Sequence, residues 1–172
     1  MIETARLLLR PHRPGDFEAS HAMWSDPRVY EHISRAPSAR QQSWSRVLTA
    51  IGHWAVLPFG PLVVEEKATG AFAGEVGLFN FKREISPSID AYPEAGWVLA
   101  PPMHGRGYAT EAVAALLRWA DATLDAPRIV AIIAEGNAAS LRVARKAGFA
   151  EWERTTFSDS NVILLERLRD AR

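Results

Sequence analysis

The residues best suited to chemistry form the run Gly105-Arg106-Gly107-Tyr108-Ala109-Thr110-Glu111, in which two glycines precede a segment with helical apolar spacing. Glycine allows left-handed backbone and close approach to a ligand. The first N–H groups of a helix opening at Gly107 have no intrahelical partner and carry about half a positive charge from the macrodipole. Such a mouth binds anions, and a diphosphate suits it. Arg106 adds a cation that can face phosphates or solvent. No Gly-Lys-Ser/Thr tripeptide occurs, which excludes a Walker A loop. The dinucleotide fingerprint fits poorly. Gly105-x-Gly107-x-x-Thr110 has two of its three glycines, and Glu135 lies 30 positions beyond Gly105, where roughly 20 are wanted. A turn that only caps a helix is the plain alternative.

The neighbouring elements decide whether that mouth is well placed. Ala95 to Ala100 reads as a short strand ended by Pro101-Pro102. From Gly107 a helix runs to about Leu124, with Val113, Leu116, Leu117, Ala120 and Leu124 as its apolar stripe. Ile129 to Ala134 is a continuous apolar, β-branched run, the mark of a strand buried on both faces. Asn137 caps a further helix that Gly148 closes. Strand, helix and strand make one parallel crossover, which is expected to be right-handed.

Upstream, Arg6 to Arg10 reads as a first strand, and Asp16 as the cap of a helix ending near Asp26-Pro27. Ser38 caps a second helix from about Ala39 to Trp54, with Trp44, Val47, Leu48 and Ile51 as its apolar face. Leu62 to Glu66 and Ala71 to Phe81 form a hairpin, and Phe149 to Phe157 with Asn161 to Leu168 form a closing one. The order predicts a single mixed α/β (α+β) domain over residues 1–172, mostly antiparallel, with helices flanking the sheet.

Composition narrows the class. The 172 residues suit one domain, and Lys plus Arg equals Asp plus Glu at 20 each. Zero formal charge argues against nucleic-acid and anionic-membrane partners. With no cysteine, thiolate zinc sites, disulfides and thiol nucleophiles are excluded. No secretory signal or bilayer-length apolar run is visible, so a cytoplasmic protein is expected.

Taken in order, several short motifs carry a resemblance. They are Thr4-Ala5-Arg6-Leu7-Leu8-Leu9-Arg10-Pro11 followed by Asp16, Gly74-Glu75-Val76-Gly77-Leu78, and Glu94-Ala95-Gly96-Trp97-Val98-Leu99. Then come Gly105 to Ala112, Asn137-Ala138-Ala139-Ser140 and Lys146-Ala147-Gly148-Phe149. This set resembles the GNAT acetyltransferases, in particular the branch that includes the ribosomal-protein N-terminal acetylating enzymes of the RimJ/RimL type. The family turn reads Gln/Arg-x-x-Gly-x-Gly/Ala, here His104-x-x-Gly107-x-Ala109. A cradle made mainly of main-chain N–H groups survives that change, which touches only the side chain at 104.

The resemblance implies acetyl-coenzyme A as co-substrate, held by His104, Gly105, Arg106, Gly107, Tyr108, Ala109 and Thr110. It implies that the strand at Trp97-Val98-Leu99 splays from the one at Ile129–Ala134. The pantetheine arm would then lie in the gap against main chain of Val98 and Leu99, one of whose N–H groups serves the oxyanion. Asn137 would bind the arm while also capping its helix. Many relatives carry a sulfur-protonating tyrosine at the position of Ala144; the RimJ/RimL-type branch has a serine at that of Ser140. Ser140 is therefore the expected acid, against a plain capping role. Glu94 is the expected base, with Glu75 or water as alternatives. Acetyl transfer to a primary amine, either a protein N-terminal α-amine or a small molecule, is the expected reaction. The rival is a coenzyme-binding sensor without turnover. At pH 7 an α-amine is neutral about one time in ten and a lysine amine only once in a few thousand, so an α-amine needs the weaker base. Trp24, Tyr30, His32, Trp54, Phe59 and Trp97 are the aromatics expected near the acceptor, and the closing hairpin could support a homodimer.

Overall fold

Residues 1–169 are described by the computed structural model. The strands are β1 (Ile2–Glu3), β2 (Leu7–Pro11), β3 (Pro61–Glu66), β4 (Ala71–Phe79), β5 (Glu94–Leu99), β6 (Arg128–Ala134), β7 (Ala150–Phe157) and β8 (Ser160–Leu168). The helices are α1 (Phe17–Trp24), α2 (Pro27–Tyr30), α3 (Arg40–Val56), α4 (Tyr108–Thr123) and α5 (Ala138–Lys146). All eight strands join one sheet in the order β1-β2-β3-β4-β5-β6-β8-β7. Among the described residues only β5 and β6 run parallel, as a strand–helix–strand crossover through α4 requires.

Two-residue alternation sorts the sheet into two faces. On one, Leu7, Leu9, Leu62, Val64, Val76, Leu78, Ala131 and Ile133 meet the buried stripe of α4, Val113, Leu116, Leu117 and Ala120. Each of these leucine, valine and isoleucine side chains, fully buried, contributes about 1.5–3 kcal/mol. The opposite face has two separate covers. Near β2–β4 lie α1 and α3, which bury Ser20, Met23, Val47 and Ala50. Near β6 and β8, Ile85 and Ile89 pack on Val130, Val162 and Leu164. Val130 therefore faces one cluster and Ile129 the other, as the apolar run predicts. Between the covers, Gly96 and Val98 of β5 are only half-buried.

The upstream segment differs from expectation in informative ways. Strand β1 and the four-residue α2 are both additional. Asp16 gives α1 no side-chain cap; its carboxylate instead takes Arg10 at 2.7 and 2.9 Å and the Arg13 amide at 2.7 Å. Ser38 does not cap α3 either, since Ala39 is its cap and the Ser38 hydroxyl accepts from Arg46 at 2.7 Å. The buried face of α3 is Ser43, Val47 and Ala50, which leaves Trp44, Leu48 and Ile51 exposed. Small and polar residues point inward because this interior is itself polar: Ser43 meets His21 at 3.0 Å.

One glycine sets the approach of β4 to β5. The register with β3 shifts between Val64 and Glu65, leaving Ala73 as a bulge beside Gly74. Gly74 has φ 149°, and a Cβ there would fall 2.2 Å from the Val98 carbonyl oxygen. Gly74→Ala is expected to cost about 2 kcal/mol and to lower the thermal midpoint by roughly 4–8 °C. An unchanged melting curve would mean that the two strands are not so closely apposed.

Candidate active site

Strands β5 and β6 pair only where they begin. Glu94 opposite Val130 is their single register pair, and the Val130 N–H donates to the Pro93 carbonyl at 3.0 Å. Beyond that row β5 keeps register with β4 through Leu99, and β6 with β8 through Ala134. The two strands therefore diverge toward their C-terminal ends. The pleat decides which amides face the gap. Pro93 points its carbonyl at β6, whereas Ala100 donates its N–H to Ala73 of β4 at 2.9 Å. Alternation places the main-chain groups of Trp97 and Leu99 on the gap side and those of Val98 on the β4 side. Of the two residues expected to line the gap, Leu99 thus presents its N–H there. Its carbonyl is already taken by the Nε2–H of His104 at 2.8 Å. His104, the departure from the family pattern, fixes the end of β5.

Past Leu99, a short 3₁₀ turn (Pro101–Met103) leads into the glycine run. Gly105 and Gly107 have φ of 76° and 78°, and Gly107 is the N-cap of α4 with no side-chain cap bond. The first helical bond runs from the Glu111 N–H to the Gly107 carbonyl at 3.1 Å. The N–H groups of Tyr108, Ala109 and Thr110 thus remain for an anion. A Cβ at Gly105 would meet nothing within 4 Å, and one at Gly107 only Arg6 Nη2 at 3.5 Å. The cradle is open and fits a diphosphate.

A charged brace supports it from beneath. The Tyr108 hydroxyl donates to Glu66 at 2.5 Å, and Arg106 reaches the same oxygen at 2.6 Å. The Tyr108 hydroxyl first, then the Thr69 hydroxyl at 2.7 Å, and then Arg106 hold the Glu66 carboxyl below the ordinary carboxylate range against the effect of its burial. The Arg106 guanidinium is therefore engaged by Glu66 rather than aimed at the mouth. Arg6 stacks 4.5 Å over the Tyr108 ring, donates to the Arg106 carbonyl at 2.9 Å, and pairs with Glu111 at 2.6 Å. Thr4 also donates to Glu111, at 2.6 Å.

Across the gap, α5 starts at Asn137, whose side-chain oxygen accepts from the Ser140 N–H at 3.0 Å. That satisfies the cap and leaves the amide nitrogen of Asn137 for a ligand. Ser140 is half-buried in the first turn. Ala144 is fully buried.

The two carboxylates differ sharply. Glu94 sits in the paired row, and both its oxygens are held by Arg83 at 2.6 and 2.9 Å. It lies at the closed end, and a cation neutralises it. Glu75 is in register with Val98 and accepts from the Ser20 hydroxyl at 2.7 Å and the Trp24 indole at 3.0 Å. Of the other aromatics, Trp54 stacks edge-on with Trp119, and Trp97 tilts against Phe149. Sequence reading missed His12, which is buried with both ring nitrogens unpartnered; no local pattern marks it.

Known proteins agree with this architecture. The family model for the acetyltransferase (GNAT) domain matches residues 6–150, so the chain belongs to the GNAT acetyltransferases. It is an acetyl-CoA-dependent acyltransferase with acetyl-CoA as co-substrate. A Bordetella pertussis protein assigned to the GnaT acetyltransferase family superposes with TM-score 0.85 at 32% identity, over 96% of this chain and 98% of that one. The uncharacterized N-acetyltransferase YnaD of Bacillus subtilis strain 168 is 26% identical over 147 residues, 86% of this chain and 81% of YnaD. Spermidine N-acetyltransferase from Vibrio cholerae, solved with CoA and spermine, shares the fold with TM-score 0.75 at 18% identity, over 96% and 97% of the two chains. Among the described residues, no helix is long and apolar enough to cross a membrane, and no group of three or more His, Cys, Asp or Glu residues could hold a metal.

Gly107→Val would force a β-branched residue into left-handed backbone and thicken the cradle. Coenzyme A affinity is expected to fall at least about tenfold by calorimetry, since a helix-mouth anion site depends on close backbone approach. Unchanged affinity would remove the diphosphate assignment.

Proposed function

We propose that the chain acetylates a primary amine, carried by a small molecule or by a peptide N-terminus, through direct attack on the thioester. The observation that carries this reading is the gap between β5 and β6, with an unpaired Leu99 N–H on one lip and the Asn137–Ser140 turn on the other. Acetyl-CoA supplies an activated acyl carbon. The residues of the chain hold and polarise it. Tyr108, Ala109 and Thr110 offer main-chain N–H groups to the diphosphate, and Asn137 offers its amide to the arm. The Leu99 N–H donates to the oxygen that gains charge as the amine adds, where a fixed donor lowers the barrier most. The Ser140 hydroxyl donates a proton to the departing sulfur. Without cysteine there is no thiol to carry the acyl group, which supports a single displacement.

The acceptor enters from the face on which β5 is left half-buried at Gly96 and Val98. Glu75, beside Val98, suits the reacting amine better than Glu94, which Arg83 occupies. The RimJ/RimL-type motifs favour including N-terminal peptides among acceptors, and the likeness to a spermidine N-acetyltransferase favours including polyamines.

A thiol-release assay over peptides, polyamines and amino sugars tests this, with acceptor-dependent coenzyme release expected for at least one class. Ser140→Ala is expected to lower kcat about tenfold or more while changing coenzyme affinity less than about twofold, as loss of a general acid would. Equal turnover in the variant would leave Ser140 as part of the cap alone.

A further inference from the structure

Beneath α1 and α3 lies a set of groups that this account does not yet use. His12 is 7% exposed, and neither ring nitrogen has a hydrogen-bond partner. Buried polar groups are nearly always satisfied, so this one calls for an explanation. Its charged surroundings are Glu75, Asp16 and Arg10. Glu75 accepts only from neutral donors, Ser20 and Trp24. Arg10 is bonded to both Asp16 and Glu65, whereas Arg46 meets the Ser38 hydroxyl and lies 4.2 Å over the Trp24 ring. Two guanidinium groups thus face three carboxylates, which leaves one negative charge uncompensated. The cluster has room for one proton.

We propose that Glu75 and His12 act as a pair that takes up the proton released when an ammonium acceptor becomes the attacking amine, Glu75 receiving it and His12 holding it. This rests on the amine-transfer reading above. Glu75 stands in register with Val98, one strand spacing (about 4.8 Å) from the strand that lines the gap. His12 follows β2, two spacings farther from the gap, so it acts only through Glu75. It is a positioning residue for the proton. Burial holds its imidazole below the ordinary histidine range; Arg10 adds to that, while Glu75 and Asp16 oppose it. The ring is therefore neutral at pH 7, with a lone pair to offer and no partner of its own.

The protons balance. The ammonium gives one proton to the Glu75 carboxylate, which passes it to the imidazole and leaves an imidazolium beside a carboxylate. The neutral nitrogen forms the C–N bond as the C–S bond breaks. The second nitrogen-bound proton passes to the Ser140 hydroxyl as that hydroxyl gives its own to the sulfur. The stored proton returns to water once product has left.

An acceptor that is already neutral brings no proton to store. The test compares the best primary amine of the panel with its trifluoromethyl counterpart, which is largely neutral at pH 7, in wild type and in His12→Leu. The turnover ratio of ordinary to fluorinated amine is expected to fall about tenfold in the variant, in line with loss of proton-transfer assistance. Equal loss on both amines would mean a packing role and overturn the proposal. A second readout is independent of turnover and of whether His12→Leu folds. Followed by NMR, the His12 ring is expected to titrate at lower pH in Glu75→Gln than in wild type, because a carboxylate charge that favours the imidazolium is gone. An unmoved titration would also overturn the pairing. Absence of thiol release with every amine would instead refute the acetyl-transfer reading, whatever the titration shows.

Discussion

Two neighbouring strands that decline to pair are the condition for everything else in this molecule. A main-chain N–H removed from water needs a partner, and in a sheet the partner is ordinarily the next strand. Here β5 and β6 share one row and then diverge, so the Leu99 and Trp97 groups look into a gap. The divergence is built from both sides. β8 holds β6 along its whole length, and the Ala73–Gly74 bulge seats β4 tightly against the end of β5. His104 closes off the Leu99 carbonyl, leaving the N–H as the more available group. An extended arm carrying amides of its own is the natural third strand.

The two faces of the sheet divide the labour. Beneath α4 the interior is apolar and stiff, which suits a platform that must aim a helix mouth at a diphosphate. Beneath α1 and α3 it holds Arg10, His12, Asp16, Ser20, Ser38 and Ser43, all buried. Buried polar groups are costly unless satisfied, and their concentration on one side agrees with the proposed entry of the amine from that face. The acyl carrier and the amine can thus approach one carbon from different directions.

What could be read from sequence follows the range of the interactions involved. The glycine run, the α4 stripe and the Asn137 cap are local patterns, and the structure reproduces each element within a residue or two. The doubly buried β6 was legible because its apolar run is unbroken. The α3 face was misread because apolar spacing alone cannot reveal that its neighbours are a serine-rich, ionic interior. Glu94 looked available because nothing local shows Arg83 arriving from the preceding loop. His12 left no signature at all, since its orphaned nitrogens depend on what neighbours distant in the chain fail to provide.

The contacts of Thr4 and Arg6 with Glu111 and the Arg106 carbonyl carry a practical consequence. The leading segment is a strut of the anion cradle, although it lies about a hundred residues away along the chain. Trimming it, or fusing a bulky purification handle directly to it, would loosen the turn from behind and look like poor coenzyme affinity in an otherwise intact domain. Any shortened recombinant form is best begun before Thr4.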